Sequence, residues 1–243
     1  MRILALDTAT ENCSAALLID GQLTVRERLL GRGHAEHILP MIHEVLAEGG
    51  AALSSLTAIA FGRGPGSFTG VRLAASVAQG LAYGSGLAVA PVSDLRAVAQ
   101  RLLAAEADAK RVLVCNDARM REVYWGCFER AADGLAAPWG DERVSAPGQV
   151  ALPPGWSAGA RASGAHGAGS GFAAYPQLGA SLAGVLTGVR EALHPRAAEI
   201  ALLAVPDVFA GRLVHPEQAL PVYLRDEVAH PPPATLIRAR SLN

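Results

Sequence analysis

Short apolar runs alternate with polar breaks along the chain, and the lengths of the runs separate strands from helices. Ile3–Thr8 (ILALDT) and Cys13–Asp20 (CSAALLID) have strand length, and the turn pair Asp20-Gly21 joins the second to Gln22–Leu30, where apolar and polar residues partly alternate. Three strands joined by hairpins follow from that pattern. His34–Glu48 has helical length, with Ile38, Leu39, Met41, Ile42, Val45 and Leu46 on a broad apolar arc and His37, Glu44 and Glu48 opposite. Pro40 is expected in the first turn of that helix or at a kink. Leu56–Phe61 (LTAIAF) reads as a buried strand, Val71–Tyr83 as a helix poor in polar residues, and Leu87–Pro91 as a short strand. A helix from about Val92 to Ala107 follows, capped by Ser93 or Asp94.

The order βββαβαβα starts antiparallel and extends through helical crossovers. That is the pattern of the ribonuclease H-like lobe found in the actin and sugar-kinase group, whose members contain two such lobes. The expected fold class is therefore α/β with a two-lobe ASKHA (actin-like ATPase) architecture. The first lobe spans residues 1–108. A second, reduced lobe spans 109–243, with its C-terminal part free to pack back on the first. The second lobe opens with VLVCNDAR after Arg111 and a hairpin through Glu122–Glu129, after which the repeat degrades. Ser163–Phe172 (SGAHGAGSGF) reads as loop, or as a strand end with a turn. Pro195–Val205 reads as a helix, and the triple proline Pro231–Pro233 as an extended tail.

Composition narrows the function classes. With 51% hydrophobic and 18% charged residues the chain supports a real core, and 21 basic against 22 acidic residues leave no positive excess for holding nucleic acid alone. A role on RNA would require a partner. Cys13, Cys115 and Cys127 are odd in number and widely spaced, which disfavours a disulfide framework or zinc ribbon. Met1 leads directly into a strand, and no apolar run reaches membrane-spanning length, so the cytosol is the expected compartment.

The most informative segment is GRGPGSFTGVR, Gly62–Arg72, set between a strand and a helix. Gly62, Gly64, Pro65, Gly66, Ser67, Phe68, Thr69 and Gly70 form a tight loop that presents backbone N–H groups to an anion or to a close protein backbone. It lacks the Gly-Lys-Ser/Thr ending of a P-loop, and the dinucleotide fingerprint fails at Ser67 or Thr69. Ser67 lacks the flanking glycines of a nucleophile elbow. Ser67 and Thr69 are instead expected to cap the following helix. His34, His37 and His43 offer no complete metal-ligand set.

DTATENCSAAL (Asp7–Leu17), the Gly-rich segment, NDARMREVYWG (Asn116–Gly126) and PVYLRDEVA (Pro221–Ala229), in this order, resemble the bacterial TsaB family, also called YeaZ. The resemblance covers nearly the whole chain and is loose over about Ala131–Pro176. It implies an accessory subunit, without cofactor or catalytic residues of its own, for placing threonylcarbamoyl on the tRNA adenosine 3′ of the anticodon. The implied partners are TsaD, the related ASKHA subunit that transfers the group, and the ATPase TsaE, with tRNA met only through the complex. Asp7, Thr8 and Thr10 resemble the first phosphate hairpin of actin-like ATPases, in vestigial form. In the second lobe, Asp117 is followed by Ala118 and Arg119 where a working nucleotide cleft would want glycine.

The resemblance also implies that the two helices of the first lobe face the equivalent pair of TsaD in a four-helix contact, a face equally open to self-association of the lone chain. Leu39, Ile42, Leu46, Arg72, Ala75, Ala78 and Gln79 are the expected contact residues, with the alanines permitting close helix approach. An ATPase or kinase of the same fold is the alternative, and a metallopeptidase the more remote one.

Overall fold

A computed structural model describes residues 1–156 and 164–225. The triple proline and the end of the segment resembling PVYLRDEVA lie outside the described residues. The first sheet contains β1 (Arg2–Asp7), β2 (Asn12–Ile19), β3 (Gln22–Leu29), β4 (Ala58–Gly62) and β5 (Val89–Val92) in the order β3-β2-β1-β4-β5. Antiparallel β1–β2 pairing sets Leu4 opposite Leu17, and parallel β1–β4 pairing sets Leu4 beside Ile59. Asp20 and Gly21 take positive φ, +48° and +89°, as the two-residue hairpin requires.

Because side chains alternate across a strand, Leu4 and Leu6 face one side of the sheet and Ile3 and Ala5 the other. The Leu4 side is covered by α1 (His34–Glu48) and α2 (Phe68–Ser85), whose Ile38, Ile42, Val45, Ala74 and Ala78 complete one core. Pro40 falls in the interior of α1 rather than its first turn. Both Pro40 and Glu36, whose carbonyl loses its donor, are exposed to water, which makes the proline tolerable there. Ser67 is the N-cap of α2, accepting from Gly70 N at 3.4 Å, while Thr69 lies inside the first turn and caps nothing.

The second sheet contains β6 (Arg111–Asp117), β7 (Val123–Arg130), β8 (Ala136–Pro138), β9 (Arg143–Ser145), β10 (Ala165–Ala168) and β11 (Gly188–Arg190). Its order is β11-β10-β6-β7-β8, with β9 also pairing β7. The segment SGAHGAGSGF thus supplies an interior strand, β10, followed by a turn; its Ser163 lies outside the described residues. The short helices α4 (Gly171–Ala174) and α5 (Pro176–Leu182) follow.

Two helices cross between the lobes. α3 (Asp94–Ala105) sets Leu95, Val98 and Leu102 against Val112, Val114 and Phe128 of the second sheet. α6 (Ala197–Phe209) returns to the first sheet, where Ile200, Leu203 and Ala204 cover Ile3, Ala5 and Leu18. A cut at residue 108 therefore divides the sequence but not the packing. The architecture is a two-lobe α/β fold of the ASKHA type.

Candidate functional site

Between the lobes runs a cleft of about 1280 Å³, lined by the β1–β2 turn, the Gly-rich loop, the β6–β7 turn and the segment Val222–Arg225. The loop is pressed against the β1–β2 turn. Gly64 holds φ +100°, and a Cβ added at Gly66 would stand 2.6 Å from Ala9 O, so the glycines here serve a close backbone approach. Ser67 N donates to Ala9 O at 2.7 Å, and Thr8 Oγ1 donates to Gly70 O at 2.6 Å.

The loop's anion is the protein's own. Gly64 N donates to Asp94 Oδ2, and Asp94 is fully buried at the start of α3, whose cap is Ser93. Asp7, equally buried, accepts from Ala9 N at 2.9 Å through Oδ1. A Cβ at Gly62 would collide with Asp94 Oδ1 and stand 2.6 Å from Asp7 Oδ1, so the two carboxyls crowd one point beneath the loop. Burial, before any other cause, pushes the Asp7 carboxyl up to about 6. Burial and then the neighbouring Asp7 charge hold Asp94 well above the usual carboxylate range.

The opposite wall is built differently. Asp117 ends β6 as Asp7 ends β1, but its Oδ1 accepts from Arg119 N at 2.8 Å and from Tyr175 Oη at 3.0 Å, and Arg119 Nη1 reaches its Oδ2 at 2.9 Å. The same guanidinium crosses the cleft to Glu11 at 3.3 Å. Arg119, Met120 and Arg121 all hold positive φ, between +53° and +63°, a conformation costly for side-chain-bearing residues. Arg225 braces this turn through Glu122 and through Ala118 O at 3.2 Å, while Val222 N donates to Arg63 O at 2.7 Å. Residues 222–225 therefore strap one wall to the other. Tyr223 accepts from Arg72 Nε at 2.8 Å, and the Arg72 guanidinium lies 3.6 Å from the Phe68 ring centre.

These residues do not fit the polyphosphate of a nucleotide. Asp94 takes Gly64 N and the Ala9 carbonyl takes Ser67 N, Asp7 is buried beside another acid, and Asp117 is held by Arg119 and Tyr175. Asn116 Nδ2, buried without a partner among the described residues, is too little to replace them. His34 Nε2 lies 2.8 Å from Thr10 O, and among the described residues no cluster of three or more His, Cys, Asp and Glu is placed to hold a metal ion. Burial pushes the Cys13 thiol up to about 11 and Cys127 up to about 12. No helix among the described residues is long and apolar enough to cross a membrane.

Several expected contact residues of α1 and α2 point inward. Ala75, Ala78 and Ile42 are packed against the first sheet at 3%, 0% and 3% exposure, so the alanines let the helix approach its own sheet and cannot offer a surface. A charged residue at Ala78 would test folding, not pairing. Leu46 is half-buried on the same core, and Gln79 donates to Ala219 O at 3.3 Å. Leu39, at 53% exposure, and Arg72 remain outside, joined by Ser76, Gly80 and Tyr83, the last 75% exposed. Asp94, Tyr175 and the bracing role of Arg225 are not among the site residues expected from sequence. Asp94 sits directly after a capping serine, where an acid is ordinary, so nothing local marked it.

The fold and cleft define an ASKHA-type protein whose nucleotide-facing turns are occupied by its own side chains. The family described as "TsaD: tRNA N6-adenosine threonylcarbamoyltransferase" matches residues 26–231. The tRNA threonylcarbamoyladenosine biosynthesis protein TsaB of Escherichia coli is 41% identical over 94% of this chain and 96% of its own length. The Haemophilus influenzae TsaB is 40% identical over 94% and 95%. A solved structure from Pseudomonas aeruginosa, described as similar to the peptidase YeaZ, superposes with TM-score 0.84 at 43% identity, covering 92% of this chain and 99% of that one. A second, YeaZ of the same organism, gives 0.80 at 41% with the same coverage. The chain belongs to the TsaD-type family and, within it, to the TsaB (YeaZ) proteins.

Proposed function

We propose that the protein is a non-catalytic scaffold of tRNA threonylcarbamoyladenosine formation. It pairs with a TsaD-like transferase subunit, is joined by a TsaE-like ATPase, and meets tRNA only through that assembly, in the cytoplasm and without a cofactor of its own. Its relatives at 40 and 41% identity over nearly the whole chain are named for this biosynthesis. The observation that carries the scaffold role is that the loop donor Gly64 N and both strand-end aspartates are engaged by protein groups. The pairing face is the outer side of α1 and α2, now reduced to Leu39 and Arg72 with Ser76, Gly80 and Tyr83 between and beside them. Apolar burial there, at about 25 cal/mol per Å², supplies the favourable term against the entropy of association. The lone chain can use the same face for a homodimer. The division into lobes 1–108 and 109–243 is retained in this proposal as a division of sequence.

Reconstitution with a TsaD-like subunit, a TsaE-like ATPase, the enzyme that makes the activated intermediate, and tRNA tests the reading, with modified adenosine measured by mass spectrometry. Modification should depend on this chain and survive Asp7→Asn. Leu39→Asp, at an exposed position, should leave the fold intact and remove pairing on a sizing column. Modification that proceeds equally well without the chain would overturn the proposal.

A further inference from the structure

The Asp7–Asp94 pair has no place in a pairing face, and among the described residues no cation forms an ion pair with it. Both side chains are fully buried, and among the described residues Asp7 Oδ2 and Asp94 Oδ1 find no N–H or O–H donor. Two carboxylates crowded at Gly62 with no counter-charge would repel strongly in a low-dielectric interior. With one proton between them they can hydrogen-bond instead, as carboxyl dyads do. The other oxygens are already committed, Asp7 Oδ1 to Ala9 N and Asp94 Oδ2 to Gly64 N. The pair therefore ties the β1–β2 turn to the Gly-rich loop at the N-terminal side of α2, the helix of the proposed pairing face.

We propose that Asp7 and Asp94 share one proton and that this proton is a latch on the Gly-rich loop, drawn off as pH rises so that the loop parts from the first hairpin. The ionisable surroundings give it no substitute. His34 on α1 draws Asp7 down only as its last cause, and Cys13 on β2 is held neutral by burial. Glu142 adds negative charge near Asp94, while Arg63, 3.8 Å from Glu142, and Arg96 act on Glu142. The latch is independent of which partner the protein takes.

A carboxyl raised in the folded state is one the fold prefers protonated. The stabilisation is fully present below the ordinary value of 3.8; the pair's first proton leaves as pH rises through about 6 at Asp7, and the shared one leaves only through the higher folded value of Asp94. The test compares melting temperatures of the full-length protein and Asp94→Asn from about pH 5 to about pH 8.5. The amide can keep the Gly64 bond and donate permanently to Asp7. The variant should therefore match the parent at the acid end and melt several degrees higher at the alkaline end. A difference that does not change with pH, or a variant less stable throughout, overturns the latch. Should the variant fail to fold, infrared spectroscopy of the parent decides. A buried protonated-carboxyl band at neutral pH, fading on alkalinisation together with the exchange protection of the Gly64 amide once its intrinsic rate is divided out, supports it. Absence of the band at neutral pH refutes it.

Discussion

Asp7 and Asp117 end the leading strands of the two sheets on the two sides of one cleft, yet they are kept in opposite ways. Asp7 is sealed under a glycine loop next to a second acid, whereas Asp117 is held by an arginine, a tyrosine and a turn of three side-chain-bearing residues in the left-handed region. The first wall retains the glycines of a phosphate cradle and fills it with a carboxyl. The second has lost the glycines and fills the space with a cation. Two routes lead to a cleft that keeps its shape while its polar groups are turned to holding the protein together.

The largest test of this contrast is Gly62→Val. With both carboxyls against that position, the substitution should cost about 3 kcal/mol or more in urea unfolding, because nothing at the site can move aside cheaply. Arg225→Ala addresses the other wall. Loss of its bonds to Glu122 and Ala118 O should cost about 1–3 kcal/mol and raise hydrogen exchange across residues 118–122, leaving the Gly-rich loop protected. Met120→Gly should act in the opposite direction. Relief of a left-handed side chain should add up to about 1 kcal/mol, read as a higher denaturant midpoint. Smallest is Asp117→Asn. Its partners are a surface arginine and a tyrosine hydroxyl, so the loss in denaturant unfolding should stay under about 1 kcal/mol. A larger loss would mean that the second wall is held as tightly as the first and would dissolve the distinction.

Much of the first lobe was legible in the sequence. Run length and turn chemistry place β1 to β5 and α1 to α3 in the order read from the chain, because each element there carries its own signal, such as Asp20-Gly21 or the Ser93 cap. β10 carries none. Ala165–Ala168 reads AHGA, without a branched residue, and is a strand only because β6 and β11 lie on either side of it. The inward face of α2 was equally hidden. A helix of alanines and few polar residues has no unique apolar side, so the choice between sheet and partner belongs to tertiary packing. The buried acid pair was invisible for a related reason. Asp7 and Asp94 lie far apart in the chain, and only the parallel run of β1, β4 and β5 brings the two ends together.

The exchange of helices between sheets sets a timetable for synthesis. Ile3, Ala5 and Leu18 are made almost at once, but the residues that cover them, Ile200, Leu203 and Ala204, emerge near the end. At about 5–20 residues per second, that face of the first sheet stays bare on the ribosome for a time on the order of ten seconds. The hazard to this chain therefore falls during its manufacture. A substitution that slows delivery of α6 should lower yield from cells more than it lowers the melting temperature of the molecules that arrive.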